Sequence, residues 1–114
     1  MKRISGESYD VRVEENSTVS FRGALRLSGT EDYAPILEVL KSTLAASGSH
    51  IVVDLRELAF LNSSGITMFS RFVIEARDRA GVDLHVLASE LIPWHARSLK
   101  NLQRLMPALT IHLT

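Results

Sequence analysis

The sequence predicts an α/β fold: a single-layer, mixed, mostly parallel sheet of about five strands flanked by about three helices, in the order ββαβαβαβ. Short segments near both ends alternate apolar and polar residues, as strands with one wet face do. Three longer segments repeat apolar residues at helical spacing. Successive strand–helix–strand units favour parallel pairing through right-handed crossovers. The length of 114 residues suits one domain, residues 1–114, with its core at about 9–113.

Two strands are predicted near the amino terminus. Residues 1–8 are polar and are expected to lack regular structure. Residues 9–14 and 19–27 each alternate with period two, and residues 15–17 form a turn, so we expect a hairpin. Gly23 lies on the apolar side of the second strand, which indicates close packing against another element.

The first helix is predicted to follow a turn at residues 28–32. Pro35 would then lie in its first turn, where the missing amide donor does no harm. Ser47 and Gly48 are expected to end the helix. The next segment, residues 50–55, is nearly continuous in apolar residues, with Asp54 near its end. This pattern predicts a central strand that is covered on both faces.

The second half of the chain continues the alternation of helix and strand. A helix is predicted at about 64–80 with Gly81 as its C-cap, then a strand at 82–88. Pro93 opens a third helix, and residues 109–113 alternate as a final strand. The third helix is expected to turn four apolar residues inward: Leu99, Leu102, Leu105 and Met106.

The charge and composition exclude several classes of function. Basic and acidic residues number 13 each, without the clustered basic face of a nucleic-acid-binding protein. There is no cysteine, which excludes disulfides, thiolate metal sites and thiol nucleophiles. Neither a signal peptide nor a membrane-spanning stretch is recognisable. We therefore expect a cytoplasmic protein with no direct contact to nucleic acid or membrane.

The turn at residues 61–65 is the leading candidate for a functional site. Asn62, Ser63, Ser64 and Gly65 are small residues suited to turns and helix caps, and they directly precede an apolar pattern of helical period. Two hydroxyl groups should therefore lie at the positive end of a helix, just after a central strand. A phosphate is well tolerated at such a position.

Other chemistry finds little support. The two serines lack the Gly-x-Ser-x-Gly pattern of a nucleophile elbow, so capping is the favoured interpretation. There is no phosphate-binding Gly-Lys-Ser/Thr loop and no His-x-x-x-His pair, so no cofactor, catalytic residue or metal site is expected. The histidines are scattered along the chain and are expected to be structural or solvent-facing: His50, His85, His95 and His112.

The last helix carries two features that the sequence leaves open. Arg97, Lys100 and Arg104 fall on one side of it, either as a solvated face or as a docking surface. Trp94, at its start, is either a core plug or an exposed anchor for a partner.

Three motifs in this order resemble the STAS domain of bacterial anti-sigma factor antagonists, over about residues 9–113: Gly23-x-Leu25, Val52-Val53-Asp54-Leu55 and Phe60-Leu61-Asn62-Ser63-Ser64-Gly65-Ile66. The resemblance implies a non-enzymatic, protein-binding regulator of transcription in a partner-switching pathway. In that family a serine kinase of the histidine-kinase-like ATPase type doubles as the anti-sigma factor and phosphorylates the antagonist. A serine phosphatase resets it.

The family motif, Asp-Ser-Ser/Thr-Gly, places the phosphorylated serine directly after the aspartate. By that match Ser63 is the expected acceptor, with Ser64 the less favoured neighbour. The expected partner-binding residues are Asn62, Ser63, Ser64, Gly65 and Arg26.

Two positions depart from the family pattern. The aspartate is Asn62 here, and the family's Gly-Glu-Leu-Asp in the second strand ends in Arg26. Loss of a carboxylate removes a repulsion of roughly 3 kcal/mol per charge pair at about 5 Å and a dielectric constant near 20. Arg26 could then hold a phosphate. Equally, a kinase that recognises the acidic pair would lose its contact.

Three hypotheses follow from the sequence. The first is a switch that acts through phosphorylated Ser63, and the second is a STAS-like scaffold that binds its partner constitutively without phosphorylation. An enzyme or small-ligand carrier is the third and least favoured. The partner's identity, the regulated process and the oligomeric state are left open.

Overall fold

The computed structural model describes residues 3–114, which form one mixed sheet of six strands and three helices. The strands are β1 (Arg3–Ser5), β2 (Tyr9–Glu14), β3 (Thr18–Leu25), β4 (His50–Leu61), β5 (Asp83–Ala88) and β6 (Thr110–Leu113). The helices are α1 (Gly29–Ser47), α2 (Ser63–Asp78) and α3 (Pro93–Leu105). The predicted α/β class and the predicted order from β2 onward are confirmed.

The strands follow one another across the sheet in chain order, from β1 to β6. The pairs β1–β2 and β2–β3 are antiparallel, and the pairs β3–β4, β4–β5 and β5–β6 are parallel. Each parallel crossover moves one strand further in the same direction. Right-handed crossovers of this kind place every connecting helix on the same face of the sheet. Contacts of α2 with both α1 and α3 agree with this arrangement.

The hydrophobic core lies between the helices and that face of the sheet. In β4 the side chains of Ile51, Val53 and Leu55 are buried, and in α2 the buried side chains recur at helical spacing. Phe21 of β3 meets Phe69 of α2 with ring centroids 5.1 Å apart and planes inclined by 59°. Tilted aromatic pairs at this separation are favourable contacts. The core therefore fixes α2 directly over the centre of the sheet.

The second face of the sheet carries no helix in the described chain, so the prediction that the central strand is covered on both faces is wrong. Val52 and Asp54 on β4 are only half-buried, as are His85 and Leu87 on β5. The apolar run at residues 50–55 suggested two buried faces, but the one-sided crossovers leave one of them uncovered. We call this surface the open face.

The amino terminus is more ordered than predicted. Residues 3–5 pair with β2 as an edge strand, whereas residues 1–2 of the segment expected to lack structure lie outside the described residues. Arg3 Nε lies 2.8 Å from Asp10 Oδ1, and Ile4 packs against the core. Three residues are too few to show a period, and these contacts come from β2, so local pattern could not reveal the strand.

The turn before the first helix is shorter than predicted. The helix α1 begins at Gly29, so Pro35 lies in its second turn and not in its first. Tyr33 in the first part of the helix is buried at 1% exposure, so this segment packs on the core. The predicted end is confirmed, because Gly48 has φ 87° and its amide donates to the Leu44 carbonyl at 2.9 Å.

Two further boundaries differ from the predictions. The strand β4 does not end near Leu55 but continues to Leu61, because its second half pairs with β3 up to Leu25. The C-cap of α2 is Arg79, and not Gly81, although Gly81 does adopt a positive φ of 74° in the following turn.

Gly23 confirms the predicted close packing. Its φ is 90°, and a Cβ there would collide with the carbonyl oxygen of Ser8. That oxygen accepts a hydrogen bond from the amide of Ala24 at 2.8 Å, so the backbones are held together at this point. Only glycine combines this angle with this proximity.

Within residues 3–114, none of the helices combines the length and the apolar character needed to cross a membrane.

Candidate functional site

The predicted turn lies where β4 ends and α2 begins. Leu61 is the last residue of β4, Asn62 is the N-cap and Ser63 is the first residue of α2. Carboxyl ends of parallel strands at such strand-to-helix turns are common places for binding sites in α/β folds. Ser63 is exposed and Ser64 is half-buried, so Ser63 is the more accessible of the two hydroxyls.

Asn62 holds the turn with three side-chain hydrogen bonds. Its Oδ1 accepts from the hydroxyl of Tyr33 at 2.6 Å and from the amide of Gly65 at 3.0 Å. Its Nδ2 donates to the carbonyl of Leu27 at 2.8 Å. The position therefore uses an acceptor and a donor at once, which an amide side chain supplies and an ionised carboxylate does not. This requirement accounts for an asparagine at this position.

Gly65 serves the site through its lack of a side chain. It is buried, and a Cβ on it would lie 2.9 Å from the hydroxyl oxygen of Tyr33 and collide with the side chain of Leu61. Glycine thus lets the tyrosine hydroxyl reach Asn62. Burial raises the pKa of Tyr33, which keeps its hydroxyl protonated as the donor in this contact. Sequence reasoning missed Tyr33, which lies 29 residues before Asn62.

The start of α2 has backbone amides without hydrogen-bond acceptors and a positive electrostatic potential from the helix dipole. The amide of Gly65 donates to Asn62 Oδ1, and the amide of Ile66 donates to the Asn62 carbonyl at 3.0 Å. The Ile66 bond is the first hydrogen bond of the helix itself, so the four amides that this helix start leaves without intrahelical partners are those of residues 62–65. The amide of Asn62 donates to the Leu25 carbonyl and that of Gly65 to Asn62 Oδ1, which leaves the amides of Ser63 and Ser64. The first turn contains no acidic residue. An anion on the Ser63 side chain would meet the helix dipole and free amide donors together.

Arg26 lies beside the turn at the end of β4. The amide of Asn62 donates to the carbonyl of Leu25 at 3.3 Å, so the segment after β3 runs alongside the end of β4. The Arg26 guanidinium carbon lies 4.6 Å from the ring centroid of Phe60, a cation–π contact. Arg26 is exposed and forms no ion pair within residues 3–114. Its charge is thus available to a phosphate or to an acidic partner.

Phe60 is a site residue that sequence reasoning did not single out. Its side chain is 40% exposed although it belongs to β4, and this part of the strand lies beyond Asp54, where the pairing with β5 ends. Exposed aromatic rings and arginines are enriched where proteins bind one another. Because β4 contains mostly apolar residues, its sequence does not show which side chains alternate between the buried and the exposed face. Only the pairing with β3 shows that Phe60 is exposed. We call Arg26, Phe60 and Ser63 the turn surface.

The start of α3 is tied to the second half of β4. The indole nitrogen of Trp94 donates to the carbonyls of Leu58 and Ala59 at 3.2 and 3.1 Å. The ring is half-buried, so it plugs the edge of the core and is not a fully exposed anchor. The three basic residues of α3 are exposed and make no ion pair in the described chain: Arg97, Lys100 and Arg104.

The histidines divide into two environments. His95 is completely buried, where Nδ1 accepts from the amide of Ser89 at 2.9 Å and Nε2 lies 3.1 Å from the carbonyl of Leu58. Burial lowers the pKa of His95, so it is a neutral structural side chain. The other three histidines are scattered in sequence, but the structure brings them together on the open face.

No protein-family model matches the chain, and no curated protein matches it by sequence. Among solved structures, the chain resembles one from the crystal structure of diguanylate cyclase SiaD in complex with its activator SiaC from Pseudomonas aeruginosa. The TM-score is 0.74 at 14% sequence identity, and the likeness covers 100% of both chains. The matched chain is the activator SiaC. At this identity the likeness shows a shared fold over the whole length.

Proposed function

We propose that the chain is a non-enzymatic regulator that binds protein partners and is switched by phosphorylation of Ser63. The observation that carries the proposal is the exposed Ser63 hydroxyl on the first residue of α2, beside free amides and with no acidic residue in that turn. The partners we propose are a serine kinase of the histidine-kinase-like ATPase type that doubles as an anti-sigma factor, and a serine phosphatase. They come from the resemblance of the turn to anti-sigma factor antagonists.

The physical effect of phosphorylation suits a binding switch. A phosphoserine adds about 1.5 to 2 negative charges at neutral pH. Favourable interactions with the helix start contribute about 0.3–2 kcal/mol, so the fold tolerates the group. The potential of the turn surface, in contrast, changes from positive to negative around Arg26. A partner that docks an acidic group beside Phe60 and Arg26 would therefore be repelled by the phosphorylated form.

The likeness to SiaC supports a role in protein binding. SiaC activates the diguanylate cyclase SiaD and forms a complex with it, so this fold serves there as a protein-binding regulator. We infer a corresponding role for this chain, without inferring the same partner. The three hydrogen bonds of Asn62 supply the rigid platform that such a surface needs, since its side chain links α1, α2 and the segment after β3.

Phosphorylation is tested by intact-mass measurement after the chain is incubated with ATP and each histidine-kinase-like serine kinase of the source organism. We expect a mass increase of one phosphate that disappears in Ser63→Ala and persists in Ser64→Ala. The neighbouring serine is a matched control, because it shares the same helix turn. An unchanged mass with every kinase, or loss of the increase only in Ser64→Ala, would contradict the assignment.

Binding to the kinase that modifies the chain tests the switch itself. We expect Ser63→Ala to bind at least as tightly as the unmodified chain and Ser63→Asp to bind at least ten-fold more weakly, roughly the effect of one like-charge contact. Arg26→Gln should weaken binding of the unmodified chain. Equal affinities for Ser63→Ala and Ser63→Asp would instead support the constitutive scaffold.

A further inference from the structure

Three of the four histidines meet on the open face although they are far apart in sequence. His50 begins β4, His85 lies within β5 and His112 lies within β6. The register pairs His50 with Asp83, and two residues later Val52 pairs with His85. Because side chains alternate along a strand, residues two apart point to the same face. His50, Asp83, His85 and His112 therefore form one cluster across three adjacent strands.

The atoms of this cluster that can bind a metal lie close together. His50 Nδ1 is 3.3 Å from Asp83 Oδ2, and His85 Nε2 is 2.9 Å from Asp83 Oδ1. One ligand atom from each of the three residues falls within 4.8 Å of the others. Zinc bonds of about 2.0–2.2 Å in tetrahedral geometry place neighbouring ligand atoms roughly 3.3 Å apart. The two distances from a histidine nitrogen to the Asp83 carboxylate, one to each of its oxygens, are close to this value.

We propose that His50, Asp83 and His85 bind a divalent transition-metal cation of the Zn²⁺ type on the open face of the sheet. Two imidazoles and one carboxylate are the ligands of many zinc sites that keep a fourth position open for water. The nitrogen donors select Zn²⁺ and its neighbours over Mg²⁺ and Ca²⁺, which prefer oxygen ligands.

His112 positions His85 for this role. Its Nε2 lies 2.9 Å from His85 Nδ1, and the two rings are nearly parallel, with 13° between their planes. A proton on His85 Nδ1 that is donated to His112 leaves the lone pair of His85 Nε2 for the metal. Hydrogen bonds of this kind fix the tautomer of a metal-bound histidine. His112 is therefore a positioning residue and not one of the three ligands.

Charge and accessibility also favour a cation. Within residues 3–114, the only ion-pair partners of Asp83 are His50 and His85, so no lysine or arginine neutralises its carboxylate. The side chains of His50, Asp83 and His85 are 47%, 58% and 26% exposed, which leaves a path for an ion from solvent. All three stand on paired strands, and such rigid elements hold ligands in place.

The test is isothermal titration calorimetry of ZnCl₂ into the full chain, which must carry no histidine tag because a tag binds zinc itself. We expect saturable 1:1 binding. His85→Ala and Asp83→Asn should each weaken it at least 100-fold, and His112→Ala should weaken it by about 10–100-fold, as loss of an outer partner does. MgCl₂ should give no saturable heat. Circular dichroism of each variant should match the parent, since these side chains lie outside the core.

Asp32→Asn is the matched control, because it removes an exposed carboxylate at the opposite end of the sheet. Its zinc affinity should equal that of the parent. Co²⁺ gives a second readout, since tetrahedral coordination by nitrogen and oxygen produces visible absorption bands that His85→Ala should abolish. Three results would overturn the proposal. They are zinc affinities of His85→Ala and Asp83→Asn equal to that of the parent, an equal loss of affinity in Asp32→Asn, or a parent dissociation constant above about 1 millimolar.

Discussion

Replacement of Asn62 by alanine should remove the hydrogen bonds that join three elements at the turn. The side chain contacts the hydroxyl of Tyr33 in α1, the amide of Gly65 in α2 and the carbonyl of Leu27 after β3. Alanine keeps the backbone angles of the turn accessible, so the change isolates these contacts. We expect the free energy of unfolding to fall by about 2–4 kcal/mol.

The magnitude has two parts. Loss of an asparagine N-cap lowers stability by typically about 1 kcal/mol. The Tyr33 side chain, only 1% exposed, would also lose the acceptor of its hydroxyl proton. A buried donor without a partner destabilises the folded state by about 1–3 kcal/mol. The two parts add to the expected range.

Asn62→Asp removes the hydrogen-bond donor of the Asn62 side chain while it keeps the acceptor, so it tests the two contacts separately. An aspartate still accepts from Tyr33 and Gly65, but it faces the Leu27 carbonyl with a second acceptor where the amide donates at 2.8 Å. The lost donor lowers stability by about 1–3 kcal/mol. A negative charge at the helix start stabilises the folded state by about 0.3–1 kcal/mol and offsets part of this loss. The net loss should be about 1–2 kcal/mol, smaller than for alanine.

The measurement is urea denaturation followed by far-ultraviolet circular dichroism, with equal slopes checked before stabilities are compared. Ser63→Ala is the control, since this exposed side chain makes no hydrogen bond in the described chain and should change stability by less than about 0.5 kcal/mol. A loss below 1 kcal/mol in Asn62→Ala, or an Asn62→Asp variant as stable as the parent, would refute the role assigned to the amide.

Two further predictions concern pH and packing. Because burial lowers the pKa of His95 below its ordinary 6.5, its contribution to stability is fully present above pH 6.5 and falls by up to about 1.4 kcal/mol per pH unit below it. Denaturation from pH 8 to 5 should show a smaller decline for His95→Asn, and parallel curves would contradict this cause. Gly23→Ala should lower stability by about 2–4 kcal/mol, through positive φ and the collision with Ser8. Gly81→Ala, with similar φ but open space, should lose only about 1 kcal/mol, and equal losses would exclude the collision.

The elements that sequence reasoning predicted correctly are those with a repeating local pattern. The hairpin of β2 and β3 follows from side chains that alternate with period two, and α2 and α3 follow from helical spacing with a cap or a proline at the start. These signals are local because each strand or helix exposes one side to water. The order of elements then implied most of the sheet topology.

The errors share a different cause. Strand β1 and the second half of β4 exist because other strands pair with them. Helix α1 begins before its expected start, in a segment that packs on the core through Tyr33. The open face exists because three successive crossovers run in the same direction and place their helices on one side of the sheet. An apolar run within a single strand carries no information about that direction. Each of these features depends on contacts between residues distant in sequence.

The candidate site shows the same division. The small polar residues of the turn and their place before α2 were recognisable, but the partners that hold Asn62 were not, since they lie 29 and 35 residues away. The histidine cluster was missed because its spacing is set by the register between strands. His50 and Asp83 are 33 residues apart in the chain, so no short motif contains both.

The length of β4 determines how a cation bound at the histidine cluster and a phosphate on Ser63 could influence each other. His50 is its first residue, and Ser63 follows its last residue by two positions. At about 3.3 Å per residue, the twelve-residue strand could span at most roughly 36 Å between the histidine cluster and the turn, and the register shifts against β3 make it somewhat shorter. Charges are screened over about 8 Å at physiological ionic strength. A bound cation and a phosphate should thus act additively, and any coupling free energy between them would have to pass mechanically through the strand.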